Sequence, residues 1–357
     1  MKRVLFVVSI LSSGGAARVL SVLGNYFSNE KDFQVSVLTH IHGSGYDFDS
    51  RVLLQALYSK DELRSSLWNK IWRRIVYWPR LVRAVLRNRP DTVVVFLRGM
   101  NWRLIIICRI LGIRVVAAEH TNHLAERGFW TWVERRWVYP FASALTVLTE
   151  FDRRHYATYL NQVRLIPNPA SFPVTGGNSA RRKIILAAGS LDRWYIKGFD
   201  TLIDVFSRLS SNHPDWKLRI VGPGDKGRMH LIKLVQEKGL EKKVELPGFS
   251  SILDQEMAES EVFCLTSRHE GFSMVLLEAM SKGCACISFD CPAGPADLLE
   301  NGLHGVLIPH RDIDAFCLGL DGLLGSEKLR YKYSRSAIEF SRNYEVEKVA
   351  MHWREIL

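Results

Sequence analysis

The sequence predicts an α/β protein made of two Rossmann-like domains, each a parallel β-sheet wrapped by helices. Three observations support this fold class. The chain has 357 residues, more than one hydrophobic core usually organises, 47% of them are hydrophobic, and short apolar runs alternate with longer helix-periodic segments. The alternation restarts after the polar stretch at residues 175–179, which indicates the boundary between the domains.

The first series of apolar runs predicts an N-terminal domain over residues 1–170. Each run is followed by a polar or glycine-bearing turn, and the predicted strands are residues 4–10, 35–39, 92–97, 115–118 and 144–148. Lys2 and Arg3, followed by apolar residues, superficially resemble the start of a secretory signal. Because that run is short and continues into a helix-periodic segment, we interpret it as a strand.

The second series predicts a C-terminal domain over residues 171–340. Its strands are expected at residues 184–188, 218–221, 244–246, 262–265 and 286–289. Residues 341–357 are expected to form a helix that packs back on the N-terminal domain. Two such domains would face a central cleft lined by the carboxyl ends of their strands, which is where Rossmann-like sheets bind ligands.

Charge, cysteine spacing and hydropathy limit the possible partners and locations. Residues 1–170 hold 24 Lys and Arg against 12 Asp and Glu, whereas the remainder holds 24 against 25. The six cysteines lack the paired spacing of zinc or redox sites, which fits a reducing cytoplasm. No apolar run reaches the roughly 20 residues that span a bilayer. We therefore expect a cytoplasmic protein whose N-terminal half meets an anionic partner.

Residues 63–90 combine arginines with aromatic residues and contain no acidic residue. Pro79 is expected to separate two helices or to kink one. A surface for anionic lipid headgroups, a solvated basic helix and a nucleic-acid surface all fit this composition. We prefer the first, without nucleic acid, which predicts peripheral association with the inner face of the plasma membrane. The proposed membrane or acceptor surface comprises Arg73, Arg74, Arg80, Arg83, Trp72 and Trp78.

The most specific motif is S-R-H-E-G-F-S-M-V-L-L-E-A-M at residues 267–280. It predicts the end of a strand, a turn, and a helix that Gly283 closes. Helical side chains tilt toward the N-terminus, so Glu278 can point toward the same pocket as Glu270. Backbone N–H groups at the turn would meet a polar ligand there, and they belong to Gly271, Phe272 and Ser273.

These two glutamates, with E-G-F, E-A-M and a following glycine around them, resemble the E-x7-E motif of retaining glycosyltransferases of the GT-B fold, family 4 (glycosyl transferases group 1). The resemblance covers nearly the whole chain. It implies that Glu278 accepts hydrogen bonds from the donor ribose and that Glu270 lies beside the donor sugar. It also implies transfer of a hexose or N-acetylhexosamine from a nucleotide sugar, with UDP preferred.

The motif G-S-L-D-R-W-Y-I-K-G-F-D at residues 189–200 follows the first strand of the second series. A departing nucleoside diphosphate develops negative charge that either a metal or fixed cations can neutralise. Lys197 and Arg193 near a helix N-terminus would supply the cations, so no metal and no other cofactor is expected. The family usually has an arginine directly after the glycine, where this chain has Ser190, so Arg193 would take that role.

Two segments of the N-terminal half complete the expected site. The turn S-S-G-G-A-A-R at residues 12–18 is neither a P-loop nor G-x-G-x-x-G, but similar transferases have G-G-A there. The resemblance implies that Gly14 and Gly15 approach the donor diphosphate, and packing alone is the alternative. His120 follows another strand and is implied to contact the donor sugar or to position the acceptor, supported by Glu119 or Asn122. A structural histidine is the alternative.

The resemblance also indicates the class of acceptor. The region around His120 and residues 145–149 look like bacterial enzymes that extend lipid-linked polysaccharide or glycan intermediates. The expected acceptor is therefore a polyprenyl-diphosphate-linked glycan of surface polysaccharide assembly. The alternatives are a nucleotide-sugar 2-epimerase and a nonenzymatic sugar-nucleotide sensor. Asp47 and Asp49 form a D-x-D, the metal-binding pattern of another transferase fold, but they lie far from the second-domain motifs.

Overall fold

The computed structural model describes residues 1–11, 14–41, 43, 45–59, 62, 67–96, 101–125, 128–175 and 181–357, without the side chains of residues 67–74. The chain divides into two compact units. The first unit comprises Met1–Ser171 and Val346–Leu357, and the second comprises Phe172–Glu345.

The first unit contains a seven-stranded sheet in which every strand pair is parallel. Apolar, largely β-branched runs buried on both faces explain the central strands, since helices cover both sides of such a sheet. The strand order is β3-β2-β1-β4-β5-β6-β7. The strands are β1 (Lys2–Val8), β2 (Phe33–Ile41), β3 (Leu53–Tyr58), β4 (Thr92–Phe96), β5 (Arg114–Ala118), β6 (Ala144–Val147) and β7 (Val163–Leu165).

Helices connect these strands. They are α1 (Gly15–Asn29), α2 (Leu67–Asn88), α3 (Asn101–Ile110), α4 (Phe129–Val133) and α5 (Glu150–Ala157), and α4 continues into a π-helical turn, Glu134–Val138, and a 3-10 turn, Tyr139–Phe141. Thr149 caps α5 by accepting a hydrogen bond from the Asp152 N–H. Pro79 lies inside α2, a single helix that spans Leu67–Asn88, so of the two arrangements predicted for Pro79 the separation into two helices is wrong. Ile75, four residues before the proline, is exposed, which lets water reach that turn.

The second unit repeats the architecture with a six-stranded parallel sheet. Its order is β10-β9-β8-β11-β12-β13, formed by β8 (Arg182–Ala188), β9 (Lys217–Val221), β10 (Val244–Gly248), β11 (Ser260–Leu265), β12 (Ala285–Phe289) and β13 (Val306–Ile308). The helices are α6 (Trp194–Lys197), α7 (Phe199–Leu209), α8 (Asp225–Glu237), α9 (Leu253–Glu259), α10 (Met274–Ser281), α11 (Pro295–Leu299), α12 (Ile313–Gly325) and α13 (Glu327–Ser341).

The last helix, α14 (Val346–Arg354), belongs to the first unit. It packs on α1, and Arg354 forms ion pairs with Glu30 and, at 2.9 Å, with Asp32. The Thr92 hydroxyl donates a 2.9 Å hydrogen bond to the Leu357 carbonyl. These contacts attach the end of the chain to the sheet of the first unit.

The strand orders locate the ligand-binding edge of each sheet. The chain leaves the centre of the first sheet in opposite directions from β1 and β4, and it does the same from β8 and β11 in the second. Loops after such neighbouring strands diverge to opposite faces and leave a crevice at the carboxyl edge. The predicted site motifs lie in the segments that follow β1, β5, β8 and β11. The predicted α/β fold with two Rossmann-like domains is confirmed.

Candidate active site

The loops after β8 and β11 meet at Glu270. One carboxylate oxygen, Oε1, accepts a 2.7 Å hydrogen bond from Lys197 Nζ and a 2.6 Å bond from the Ser267 hydroxyl. The Lys197 side chain is 16% exposed and that of Glu270 is 9% exposed. Partial burial weakens solvent screening, so this ion pair is a strong local dipole at the edge of the sheet. The structure thus brings together two residues that the sequence assigned to one site.

A glycine makes the approach of the two loops possible. Gly198 has φ of +66°, and a Cβ atom there would lie 2.0 Å from the Thr266 carbonyl oxygen. The Thr266 hydroxyl donates to the Gly198 carbonyl at 2.9 Å, and the Arg268 N–H donates to the Ile196 carbonyl at 2.8 Å. Only glycine combines the left-handed backbone with this close contact.

Arg268 fixes the same loops from the side. Its guanidinium donates two 2.9 Å hydrogen bonds to the carboxylate of Asp200. It also lies 4.1 Å from the centre of the Tyr195 ring. Such bidentate and stacked contacts are specific to arginine. Arg268 is therefore a positioning residue for the segment that carries Lys197.

A third loop, G-P-G-D-K-G at residues 222–227, packs against the loop after β8 and was missed by sequence reasoning. A Cβ atom on Gly222 would lie 1.8 Å from the Gly189 carbonyl oxygen, and one on Gly227 would lie 1.8 Å from the Leu191 carbonyl oxygen. The Gly227 N–H donates a 2.8 Å hydrogen bond to Asp192. The dense glycines directly after a strand are the signal that could have revealed this loop.

The turn at Gly271, Phe272 and Ser273 leads into α10, which begins at Met274. Ser273 has φ of +69°, is almost completely buried, and its hydroxyl has no hydrogen-bond partner among the described residues. Gly294 closes over the turn, since a Cβ atom there would lie 2.4 Å from the Phe272 carbonyl oxygen. A strained, buried serine at a helix start is typical of a functional position.

Glu278 lies in the second turn of α10 and is completely buried. Burial of a carboxylate is costly and uncommon outside functional or paired positions. The predicted end of this helix is confirmed, because Gly283 has φ of +77° and its N–H donates to the Met280 carbonyl at 2.9 Å. Arg193, the other predicted cation, is exposed on the 3-10 turn Leu191–Arg193.

In the first unit, His120 follows β5 and its ring stacks on Phe96, with 4.8 Å between the ring centres. The residue is partly exposed, yet burial of its ring lowers the pKa of His120 to about 4. The imidazole is therefore neutral at neutral pH and suits hydrogen bonding better than proton donation. Its Nδ1 is buried without a hydrogen-bond partner among the described residues.

The two residues expected to support His120 are engaged in the local fold. The Tyr139 hydroxyl donates a hydrogen bond to buried Glu119, and Arg135 lies 3.6 Å from the other carboxylate oxygen. The Asn122 side-chain oxygen accepts hydrogen bonds from the N–H groups of Leu124 and Ala125 at 3.0 and 2.7 Å. These contacts fix the loop that carries His120.

The turn after β1 begins α1. Gly14 has φ of +130°, and the Tyr46 hydroxyl lies 3.2 Å from both its N and its carbonyl oxygen. Gly15 is the first residue of the helix. The preceding Ser12 and Ser13 lie outside the described residues.

Comparison with known families agrees with this geometry. The family model "Glycosyl transferases group 1" matches residues 174–340, and "Glycosyltransferase Family 4" matches residues 13–171. Together they span nearly the whole chain and follow the two units. The chain belongs to the family 4 glycosyltransferases.

Two relatives and two solved structures match this chain over 99% of its length or more. The amylovoran biosynthesis glycosyltransferase AmsD of Erwinia amylovora is 27% identical, with 100% of this chain and 99% of AmsD covered. A Campylobacter jejuni α-1,4-N-acetyl-D-galactosaminyltransferase, whose name specifies a diphospho-undecaprenol-linked glycan, is 26% identical over 100% and 98%. TarM superposes with a TM-score of 0.81 at 14% identity, covering 100% and 98%. Anabaena HepE, solved with UDP and glucose, gives 0.80 at 16%, covering 99% of each chain.

These matches confirm the GT-B fold class and the assignment as a glycosyltransferase. They give no support to the epimerase or sensor alternatives. Asp49 of the D-x-D pattern is bonded to Arg51, which holds the pKa of that carboxyl well below its usual range. Within the described part of the chain, no group of three or more His, Cys, Asp or Glu side chains is arranged to hold a metal ion.

The residues of the predicted membrane surface of this glycosyltransferase have different environments in the structure. Arg80 donates to Glu62 at 2.7 Å and to the Leu57 carbonyl at 3.1 Å, so its guanidinium serves the fold. Arg83 is exposed, and Trp78 is partly exposed with its ring 5.5 Å from that of Trp102. The side chains of Trp72, Arg73 and Arg74 lie outside the described residues. No described helix is both long and apolar enough to cross a membrane.

Proposed function

We propose that this glycosyltransferase transfers a hexose or N-acetylhexosamine from a UDP-sugar to a polyprenyl-diphosphate-linked glycan, with retention of configuration and without a metal. The reaction would serve surface polysaccharide or glycan assembly. The observation that carries the proposal is the contact of Lys197 and Ser267 with Glu270 at the point where the second sheet reverses its strand order. This is the position at which Rossmann-like sheets bind nucleotides.

Each donor group has a proposed partner in the second unit. Lys197 and exposed Arg193 would neutralise the diphosphate, and Glu278 would accept hydrogen bonds from the ribose hydroxyls. The turn formed by Gly271, Phe272 and Ser273 would offer backbone N–H groups, with Ser273 already held in a left-handed conformation. In the first unit, Gly14 and Gly15 remain proposed donor contacts. UDP is favoured because the HepE and TarM structures include complexes with UDP.

The proposed reaction needs no covalent enzyme intermediate. The bond between the anomeric carbon and the diphosphate oxygen breaks, the acceptor hydroxyl oxygen bonds to the same carbon, and its proton passes to the departing diphosphate. The products are UDP and the extended glycan. Glu270 would stabilise the positive charge that develops on the sugar, while neutral His120 would hydrogen-bond to the donor sugar or orient the acceptor.

A lipid-linked acceptor is supported by relatives and by charge. AmsD is named for an exopolysaccharide, and two Campylobacter relatives are named for diphospho-undecaprenol-linked glycans. The first unit holds the excess of basic residues of the whole chain. An acceptor with two phosphates at a membrane surface would match that charge, as would peripheral association with the cytoplasmic face of the plasma membrane.

A donor panel tests the proposal. Purified protein with EDTA is incubated with UDP- and GDP-sugars and with polyprenyl-diphosphate-linked acceptors, and nucleotide release and glycolipid mass are followed together. We expect acceptor-dependent release of UDP and a mass gain of one sugar, with NMR showing the anomeric configuration of the donor. Dependence on added Mg²⁺ or Mn²⁺, or an inverted product, would contradict the mechanism. Release only from GDP-sugars would reject the proposed nucleotide.

A further inference from the structure

Residues 129–141 of the first unit present aromatic side chains to solvent. Among the large exposed aromatic residues of the described chain, five lie in this short segment, although it separates two buried strands. We name them the aromatic ridge: Phe129 (68% exposed), Trp130 (79%), Trp132 (54%), Trp137 (61%) and Phe141 (56%). Such density of exposed aromatic surface in a folded protein marks an interaction site.

Two buried residues, Arg135 and Tyr139, attach this segment to the fold, whereas the five rings of the ridge are exposed. No residue of α4 is buried, and in the π-helical turn only Arg135 is buried. Arg135 donates a 2.9 Å hydrogen bond to the His123 carbonyl and lies beside Glu119, which also accepts from Tyr139. The segment is thus attached by Arg135 and Tyr139, with the five rings of the ridge exposed.

A cavity of about 430 Å³ opens beside the ridge. Its lining residues include Arg135, Arg136, His155 and Thr158, next to Trp132 of the ridge. Arg136 is exposed and lies 5.8 Å from the Trp137 ring centre and 5.6 Å from that of Tyr159. An exposed arginine beside aromatic rings matches the chemistry of a phosphate attached to an apolar group.

The ridge adjoins the basic helix α2 through α3. Helix α3 contacts the π-helical turn, and its Asn101 donates a 3.2 Å hydrogen bond to the Tyr139 hydroxyl. On the other side, Trp102 of α3 meets Trp78 of α2, and Arg103 lies 4.2 Å from the Trp102 ring centre. Aromatic rings and arginines therefore continue from α2 to the ridge.

We propose that the aromatic ridge is the surface by which the first unit inserts into an anionic phospholipid bilayer, with a lipid phosphate at Arg136 beside the cavity. Indole and phenyl rings prefer the boundary between headgroups and acyl chains, and the neighbouring arginines pair with phosphate. The inference rests on the peripheral membrane association proposed above. It names the ridge as the inserting surface, whereas α2 contributes long-range attraction.

Vesicle flotation tests the ridge directly. The probes are phosphatidylcholine vesicles and phosphatidylcholine vesicles that also contain phosphatidylglycerol. The variant W130A/W132A/W137A is expected to lower partitioning by about tenfold or more. The matched control is Y331A, which removes an equally exposed aromatic ring (62%) from the second unit and should bind as the wild type does. Circular dichroism and the thermal midpoint show that each variant is folded.

Two variants of Arg136 test the cavity. R136E should abolish the preference for phosphatidylglycerol, while R136K, which keeps the charge, should retain most of it. Brominated lipids should quench tryptophan fluorescence of the wild type and quench the triple variant far less, as insertion requires. Unchanged vesicle binding of the triple variant would overturn the proposal. So would a wild-type dimer that the triple variant converts to monomer without any vesicle binding, since the ridge would then bind a second copy of the chain.

Transfer to a short-chain, water-soluble acceptor separates this inference from the proposed function. The triple variant should keep the wild-type rate of UDP release with that acceptor, because the ridge is not assigned to the chemistry. Full vesicle binding without acceptor-dependent transfer would reject the proposed function and leave the ridge in place. Acceptor-dependent transfer, together with normal vesicle binding by the triple variant, would support the proposed function and reject the assignment of the ridge.

Discussion

The two units have similar parallel sheets but differ in the residues at the carboxyl edges of those sheets. In the second unit the carboxyl edge is closed by glycine-mediated backbone contacts, and its charges are paired: Lys197 with Glu270, and Arg268 with Asp200. In the first unit the corresponding edge carries His120 and, nearby, the exposed aromatic ridge. The same fold thus supports a rigid, polar site in one half and a cationic, aromatic surface in the other, which fits a division between binding the soluble donor and meeting a lipid-linked acceptor.

The strongest test of the second unit as the chemical centre is E270Q. Glutamine keeps the shape and can still accept from Lys197 and Ser267, but it removes the negative charge. We expect kcat to fall by about 10²–10³-fold while the affinity for UDP changes little, because the charge acts on the reacting sugar. E245Q, in a partly exposed ion-pair network of the same unit, should retain activity. Comparable activity of E270Q and E245Q would contradict the assignment.

The rigidity of that edge can be measured at a pair of glycines. Gly198 and Gly239 have nearly the same φ, +66° and +65°, but a Cβ atom on Gly198 would lie 2.0 Å from the Thr266 carbonyl oxygen, whereas Gly239 has nothing within 4 Å. Both alanine variants lose about 1 kcal/mol for the left-handed backbone.

G198A should lose about 3 kcal/mol or more in total, because the two loops must also separate. Denaturant unfolding of the two variants measures the difference. Equal destabilisation would show that the loops can move apart at little cost, and would weaken the comparison between a rigid second unit and an exposed first one.

For the first unit, pH tests whether His120 is enclosed. Burial lowers its pKa from 6.5 to about 4, so between these values the unfolded chain binds a proton that the folded unit does not. Stability from this residue is therefore present above pH 6.5 and is lost as pH falls toward 4, by about 2 kcal/mol once partial exposure is allowed for. NMR titration, with H120Q to assign the signal, should give a pKa near 4.

The stability of H120Q should depend less on pH than that of the wild type over the same interval. A His120 pKa near 6.5 would show an open, hydrated ring and would remove the argument that it acts as a neutral hydrogen-bonding group. Lost transfer activity in H120Q with an unchanged fold would favour the functional interpretation over a structural histidine.

How far the sequence predicts this molecule depends on what each feature requires. All ten predicted strands are present, and nine of them lie inside the sheets, where buried parallel strands give continuous apolar runs, whereas the tenth, β10, lies at an edge. The missed strands β3, β7 and β13 lie at sheet edges and are partly exposed, so their runs are short or mixed. Edge position is set by tertiary pairing, which local pattern does not encode.

The site shows the same limit. The meeting of Lys197 with Glu270 follows from motifs placed after two strands of one parallel sheet. The contacts that hold these loops in place could not be predicted in this way. Arg268 bonds to Asp200 and Gly227 to Asp192, and these partners are 68 and 35 positions apart in the sequence. The aromatic ridge was missed because aromatic residues at helical spacing usually indicate a core, and only the structure shows that these rings are not buried.

The smallest expected effect concerns two arginines of α2, one bonded to the fold and one exposed. Arg80 bonds to Glu62 and to the Leu57 carbonyl, whereas Arg83, three residues later, is exposed. R80A should lower the stability of the first unit by about 1 kcal/mol, and R83A by less than about 0.5 kcal/mol. For attraction to anionic vesicles the order should reverse, with R83A the more damaging because Arg83 is exposed and forms no ion pair with a described residue. If R80A weakened vesicle binding more than R83A while leaving stability unchanged, the Glu62 pair would not hold in solution and Arg80 would return to the membrane surface.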